Sequence, residues 1–206
     1  FYVQNYADAL QQAPLVRFVM NSFIQSSGVM MAQLVMASLA AFAFAFLPFK
    51  GKQLVFLVFL STMMIPWEST IIPNYLFIQG IQWDDTYMGL IAPFMASAFA
   101  TFLIRQSFMS LPRDLYDAAT IDGCSNLRYL VTIAVPLARP ALGTLAVYSF
   151  LQTYNQYLWP LLITNKVEMR TVQIGITMLR DAEREMWAVI MAGVVLVMIP
   201  TLVLFF

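Results

Sequence analysis

The chain has 206 residues, of which 61% are hydrophobic and only 11% charged, and its mean hydropathy is +0.74. Soluble domains are about a quarter charged, and a chain this short has no interior large enough to hide so much apolar surface. The composition implies an all-α, polytopic membrane protein. The 11 Lys and Arg balance the 11 Asp and Glu, so nothing points to a nucleic-acid partner. A single cysteine excludes an internal disulfide, and the lack of histidine removes any Cys/His metal site.

In chain order, the polar opening FYVQNYADALQQ does not read as a signal peptide. Residues 1–22, with Asn5, Asp8 and Arg17, are expected to form an external segment. The first span is predicted over 23–47, free of formal charge and closed by Leu47-Pro48 and the Lys50-Gly51-Lys52 turn. Ala37, Ala41 and Ala45 form a small-residue stripe suited to close helix packing. Gln25, Ser26, Ser27 and Gln33 either line a path or bond to a neighbouring helix. The second span, 53–77, is interrupted by Pro66 and Pro73, with Glu68 between them. Glu68 is the one carboxylate in any predicted span. It is either functional at membrane depth, or lies in the outer headgroup region if Pro66 ends the span.

Residues 78–87 read as an external connector. The third span, 88–109, carries Pro93, a second small stripe at Ala92, Ala96 and Ala100, and Arg105 snorkelling at its end. The fourth span is predicted over 141–163. Tyr148, Gln152, Asn155, Gln156 and Trp159 share one helical face there, and amides facing lipid are costly. That stripe therefore faces either protein or a water-filled cavity. Residues 164–186 are the most charged part, including Lys166, Glu168, Arg170, Arg180, Asp181, Glu183, Arg184 and Glu185, and suit an aqueous loop with a short helix. The fifth span runs over 187–206, with Trp187 marking the interface.

Between the third and fourth spans lies the longest stretch with no spanning signal, SLPRDLYDAATIDGCSNLRYLVTIAVPLARP, residues 110–140. It spells two short helices with a hinge. Ser110 and Pro112 suit the start of the first, whose face holds Leu115, Ala118, Ala119 and Asp122. Gly123 is placed to end it in a left-handed turn. Ser125 suits the cap of the second, with Leu127, Leu130, Val131 and Ala134 on one face and Pro136 as its stop. The segment is either an amphipathic loop on the membrane surface or a docking element whose adjacent alanines admit another protein's backbone.

The motifs D-A-A-x-x-D-G-x at 117–124 and I-x-x-P-L-x-x-P at 133–140 resemble the EAA loop of ABC-importer permeases. N-x-Y-L-W-P-L-L at 155–162, G-L-I-A-P at 89–93 and T-F-L-x-R-Q-x-F at 101–108 are similar to carbohydrate-uptake permeases of the maltose and glycerol-3-phosphate type. The resemblance covers nearly the whole chain, with one departure: the motif's leading Glu is Asp117. It implies a transmembrane permease domain over 23–206 with a cytoplasmic coupling loop at 110–140. Asp117, Ala118, Ala119, Asp122, Gly123 and Pro136 are then expected to couple to separate ATP-binding subunits. The other implied partners are a second, related permease in a heterodimer, an extracytoplasmic solute-binding protein, a sugar-like or glycerol phosphate solute, and membrane lipid. The resemblance further implies a multi-pass protein of the bacterial inner membrane, alternating access, no cofactor, and one more helix ahead of the first residue.

The positive charges alone set orientation weakly, since Lys50, Lys52, Arg105, Arg113, Arg128 and Arg139 face Arg17, Lys166, Arg170, Arg180 and Arg184 across the membrane. Neither a P-loop, H-E-x-x-H nor G-x-S-x-G occurs, so the chain carries no ATPase of its own. The alternative is an ion-coupled secondary transporter or an intramembrane enzyme, for which only Glu68 offers a carboxylate within a span. The cost of unpaired amides makes Gln152, Asn155 and Gln156, with Glu68, the candidate translocation path.

Overall fold

The computed structural model describes residues 4–12, 14–181 and 187–205, and no strand occurs among them. In order, the α-helices are α1 (Gln4–Gln12), α2 (Leu15–Ala45), α3 (Lys52–Ser61), α4 (Trp67–Gly80), α5 (Tyr87–Ile91) and α6 (Ala98–Met109). They continue with α7 (Arg113–Ile121), α8 (Asn126–Tyr129), α9 (Val135–Leu137), α10 (Arg139–Tyr154), α11 (Leu158–Ile163), α12 (Val172–Asp181) and α13 (Trp187–Phe205).

Among the described residues one helix, α2, is long and apolar enough to cross a bilayer alone. Its 31 residues begin at Leu15, so the helix starts within the segment expected to be external, ahead of the predicted start at 23. At 1.5 Å per residue it is roughly 46 Å long, more than the ~30 Å hydrocarbon layer requires. The segment ahead of it is also helical: α1 packs on α13.

Three helix pairs are bent, each with the length and composition of a broken span or a re-entrant loop. The chain breaks between Lys52–Met64 and Trp67–Gly80 and between Tyr87–Phe94 and Ala98–Met109, and within the second unit Asn126–Leu137 meets Arg139–Tyr154 at 82°. The first bend sits at Ile65-Pro66, where a residue before proline is driven to extended backbone. Pro73, expected to interrupt the same span, lies inside α4. In the third span a 3-10 turn at Ala92–Phe94 leads to Ser97, whose hydroxyl accepts from the Ala100 N–H and starts α6. The predicted stripe Ala92, Ala96 and Ala100 is therefore split by a break, and only Ala100 is buried. The predicted fourth span is divided as well, into α10 and α11 around Asn155–Tyr157.

The chain forms two compact units, Phe1–Gly28 with Ile71–Pro93 and Phe150–Phe206, and Val29–Thr70 with Phe94–Ser149. In the first, Ala9, Leu15, Phe18, Leu179, Val189 and Ile190 form a core. Gly175 lets α12 settle on α2, since a Cβ there would lie 2.5 Å from the Phe18 ring. The short helix expected within 164–186 is present as α12 and is packed, with Val172, Ile174 and Leu179 buried; Glu183, Arg184 and Glu185 lie outside the described residues. In the second unit, Ala37 and Ala41 are buried against Ile104, Phe108, Tyr129 and Leu145, which is where the first small-residue stripe finds its use. Gln33 braces this unit internally: its amide donates to the Phe94 carbonyl at 2.8 Å, beside the third-span bend, and its oxygen accepts from the Ser149 hydroxyl.

Candidate coupling and translocation sites

The loop between α6 and α10 sits wholly in the second unit. Pro112 is the residue just ahead of α7, and Ser110 instead closes α6, its hydroxyl donating to the Ser107 carbonyl at 2.7 Å. Asp114 in the first turn of α7 complements the helix dipole. At the other end Gly123 takes φ +74°, with its N–H on the Thr120 carbonyl and the Cys124 N–H on the Ala119 carbonyl. This pair of bonds closes α7 in the left-handed turn read from the sequence. The Ser125 hydroxyl accepts from the Arg128 N–H at 3.4 Å and caps α8 as expected.

α7 packs on its own unit along a line that shares only Ala119 with the Leu115, Ala118, Ala119 and Asp122 face, which the spacing offered to a membrane surface or another protein. Leu115 is 41% exposed, while Tyr116 and Ala119 pack against the core of their unit. Tyr116 is the anchor that the sequence reading missed. Its ring stacks on Phe46 with centroids 5.1 Å apart and meets Tyr129 edge-on at 5.0 Å. Its hydroxyl donates to Asn126 Oδ1 at 2.8 Å, tying α7 to α8. Asp117, Ala118, Asp122 and Gly123 are exposed, and Ile121 is 86% exposed. The two alanines thus divide: Ala118 faces outward and Ala119 inward. Asp117 also borders a pocket of about 240 Å³ with Phe46, Pro48, Arg113 and Tyr116.

Pro136 does not stop the second helix. Leu130–Ala134 forms a π-turn and α9 continues through the proline. A widened turn relieves the clash of a proline ring with the carbonyl four residues back. The chain turns only at Ala138, into α10. Beside this loop, Arg105 and Lys52 gather at the end of α2. Lys52 Nζ donates to the carbonyls of Ala45 and Leu47, and Arg105 Nε to that of Phe44, with its guanidinium 4.1 Å over the Phe56 ring. Cations there complement the negative end of the helix dipole.

Of the candidate path residues, Glu68 is exposed in the first turn of α4, in the second unit. Gln152, Asn155 and Gln156 belong to the first. Gln152 is exposed on α10; Asn155 and Gln156 fall at the break before α11, so the amide stripe is not one continuous helical face. Asn155 Nδ2 donates to the Leu151 carbonyl at 2.9 Å, and its Oδ1 accepts from Gln173 Nε2 at 3.2 Å. Gln156 Oε1 accepts from Gln25 Nε2 at 3.1 Å, and Gln25 is 1% exposed. Gln25 and Gln173 were not legible as partners, because neither lies near 155 in sequence. Trp159, expected on the same face, is instead fully buried, its Nε1 donating to the Gly89 carbonyl at 3.1 Å.

Gly89 is itself constrained. A Cβ there would strike the Trp83 carbonyl, and Ile78 lies at 3.3 Å. Gly89→Ala is expected to force the backbone apart, costing about 1–3 kcal/mol. A lowered melting temperature of the purified complex checks this, with Gly143→Ala, which meets nothing within 4 Å, as the comparison.

Residues 33–206 match the family described as binding-protein-dependent transport system inner membrane component. The chain is 39% identical over 194 residues, 93% of its length and 69% of the relative's, to the sn-glycerol-3-phosphate transport system permease protein UgpE of Shigella flexneri. The same values hold for the protein of that name from Escherichia coli K12. The fold also matches a chain in the crystal structure of a bacterial ABC transporter involved in import of the acidic polysaccharide alginate. The TM-score is 0.88 at 21% identity, covering 100% of this chain and 78% of that one. Matched over most of its length, the chain belongs to the binding-protein-dependent transport system inner membrane components, as a multi-pass permease subunit of an ATP-driven importer whose ATPase is a separate subunit.

Proposed function

We propose that this subunit forms one half of a heterodimeric pore with a second, related permease. The pore passes a polyhydroxylated solute (a sugar, an oligosaccharide or a glycerol phosphate) from an extracytoplasmic binding protein to the cytoplasm by alternating access. The observation that carries the reading is the division of α7 into two faces: Tyr116 and Ala119 are held in the core, while Asp117, Ala118 and Ile121 stand outside it. A helix fixed on one side and open on the other acts as a lever. The ATP-binding subunits grip the open face, with Asp122 and Gly123 setting the angle of its end, and their movement reaches the spans through α8, the π-turn and Pro136. ATP closure opens the cavity outward to the binding protein, and hydrolysis resets it.

The solute class is argued from the path candidates. Amides at Gln152, Asn155 and Gln156 offer donors and acceptors together, which suits hydroxyls, and the aromatic Tyr148 lies one turn before Gln152. Glu68, at the bend of the second span, adds a carboxylate to the candidate path. The test is mass spectrometry of the ligand carried by the cognate binding protein, then transport of that ligand in proteoliposomes. A hydroxyl-rich ligand is expected, and Asn155→Ala should raise its half-saturation concentration about fivefold, the loss of one hydrogen bond of about 1 kcal/mol. An amino acid or a metal ion as the bound ligand overturns the solute class.

A further inference from the structure

We infer that Gln173, on α12, lines the solute path together with Asn155; the inference rests on the proposed path and extends it to an element outside the predicted spans. Residues 164–186 read in the sequence as an aqueous loop with a short helix, and that helix, α12, is fixed in its unit. Val172 and Ile174 are buried on either side of Gln173, and the Val172 N–H donates to the buried Ser22 hydroxyl on α2 at 2.9 Å. Gly175 seats the same turn against Phe18. Gln173 is therefore held by its neighbours, and its half-exposed side chain reaches the exposed Asn155 at 3.2 Å.

The donor and acceptor accounting gives this pair its chemistry. Asn155 commits one N–H to Leu151, and its carbonyl oxygen receives one from Gln173. Gln173 keeps its Oε1 and its second N–H, neither with a partner among the described residues. The adjacent Gln156 has its oxygen occupied by Gln25 and keeps its NH2 group. Two amide pairs, Gln173–Asn155 and Gln25–Gln156, thus meet at consecutive residues in the break between α10 and α11. They leave acceptors and donors side by side, each a fit for a hydroxyl, which both donates and accepts. The amide pairs also secure orientation: an Asn carboxamide bonded on both sides presents one fixed edge.

The test needs no knowledge of the solute. Gln173→Cys and, separately, Asn155→Cys are introduced into the complete permease–ATPase complex in proteoliposomes. Both are exposed to the small anionic thiol reagent methanethiosulfonate ethylsulfonate, with and without nucleotide trapped by vanadate. Peptide mass spectrometry scores each site apart from the native Cys124, and the ATPase rate reports that each complex is assembled. The expected result is labelling at 173 that differs between the two states by about threefold or more, as a path wall opened on one side at a time requires. Equal labelling in both states, or none in either, overturns the inference. If 155 is state-dependent while 173 is not, only the role of Gln173 falls; if neither changes, the proposed path falls with it.

Discussion

Tryptophan at Gly123 is expected to leave the permease in the membrane and assembled with its ATPase while cutting transport per ATP hydrolysed at least tenfold. Two costs add. The left-handed backbone at φ +74° disfavours any residue with a Cβ by about 1–2 kcal/mol. A bulky ring on the exposed end of α7 also keeps a packed partner away, at about 1–3 kcal/mol. Nothing lies within 4 Å of a Cβ built there, so the chain's own interior has no quarrel with the substitution. Ala118→Trp, also on the open face, should behave alike. Ala119→Trp should not: Ala119 packs in the core of its unit, so the expected outcome is a poorly folded chain instead of an uncoupled one. Parallel transport and ATPase measurements with a native gel for assembly distinguish these outcomes. Parental coupling in Gly123→Trp would refute the role given to this loop.

The largest stability effect is expected at Trp159. It is fully buried and donates to the Gly89 carbonyl, so its removal combines a large cavity with an orphaned acceptor. Trp159→Ala should cost about 3–5 kcal/mol. Trp159→Phe keeps most of the volume and should lose about 1–3 kcal/mol, the penalty for leaving one buried carbonyl unpaired. Melting curves of the purified complex in detergent would give the order parent, Phe, Ala. A Phe variant as stable as the parent would mean that the Gly89 carbonyl finds another partner.

Much of this was legible in the sequence for identifiable reasons. Apolar runs located the long helical stretches, because the bilayer demands length and composition that no loop satisfies. The loop's two helices and its left-handed glycine could be read from local capping chemistry, which depends on neighbours in sequence. What failed was what depends on distant partners. Spacing put Leu115, Ala118, Ala119 and Asp122 on one face of α7, but it could not show that the rings of Phe46 and Tyr129 select Tyr116 as the anchor. Pro136 looked like a stop because spacing rules assume a helix of 3.6 residues per turn, and the chain answers with a wider turn. Trp159 looked like part of an amide stripe because the break at Asn155–Tyr157 cannot be seen in periodicity. Gln25 and Gln173 acquire meaning only through bonds to residues 131 and 18 positions away.

The π-turn at Leu130–Ala134 has a consequence for how this chain tolerates insertion and loss of codons. Such a turn stores one residue more than an α-helical one, and each α-helical residue rotates the downstream chain by roughly 100°. Dropping one residue within it would return the segment to ordinary α-helix without shortening any hydrogen-bonded ladder beyond it. Most spans have no such slack, since a lost codon there re-phases every lipid-facing and core-facing side chain downstream. Here the missing residue is taken from the reserve in the turn, so the helices beyond it keep their angular setting, at the cost of bringing the Pro136 ring back against the carbonyl four residues earlier.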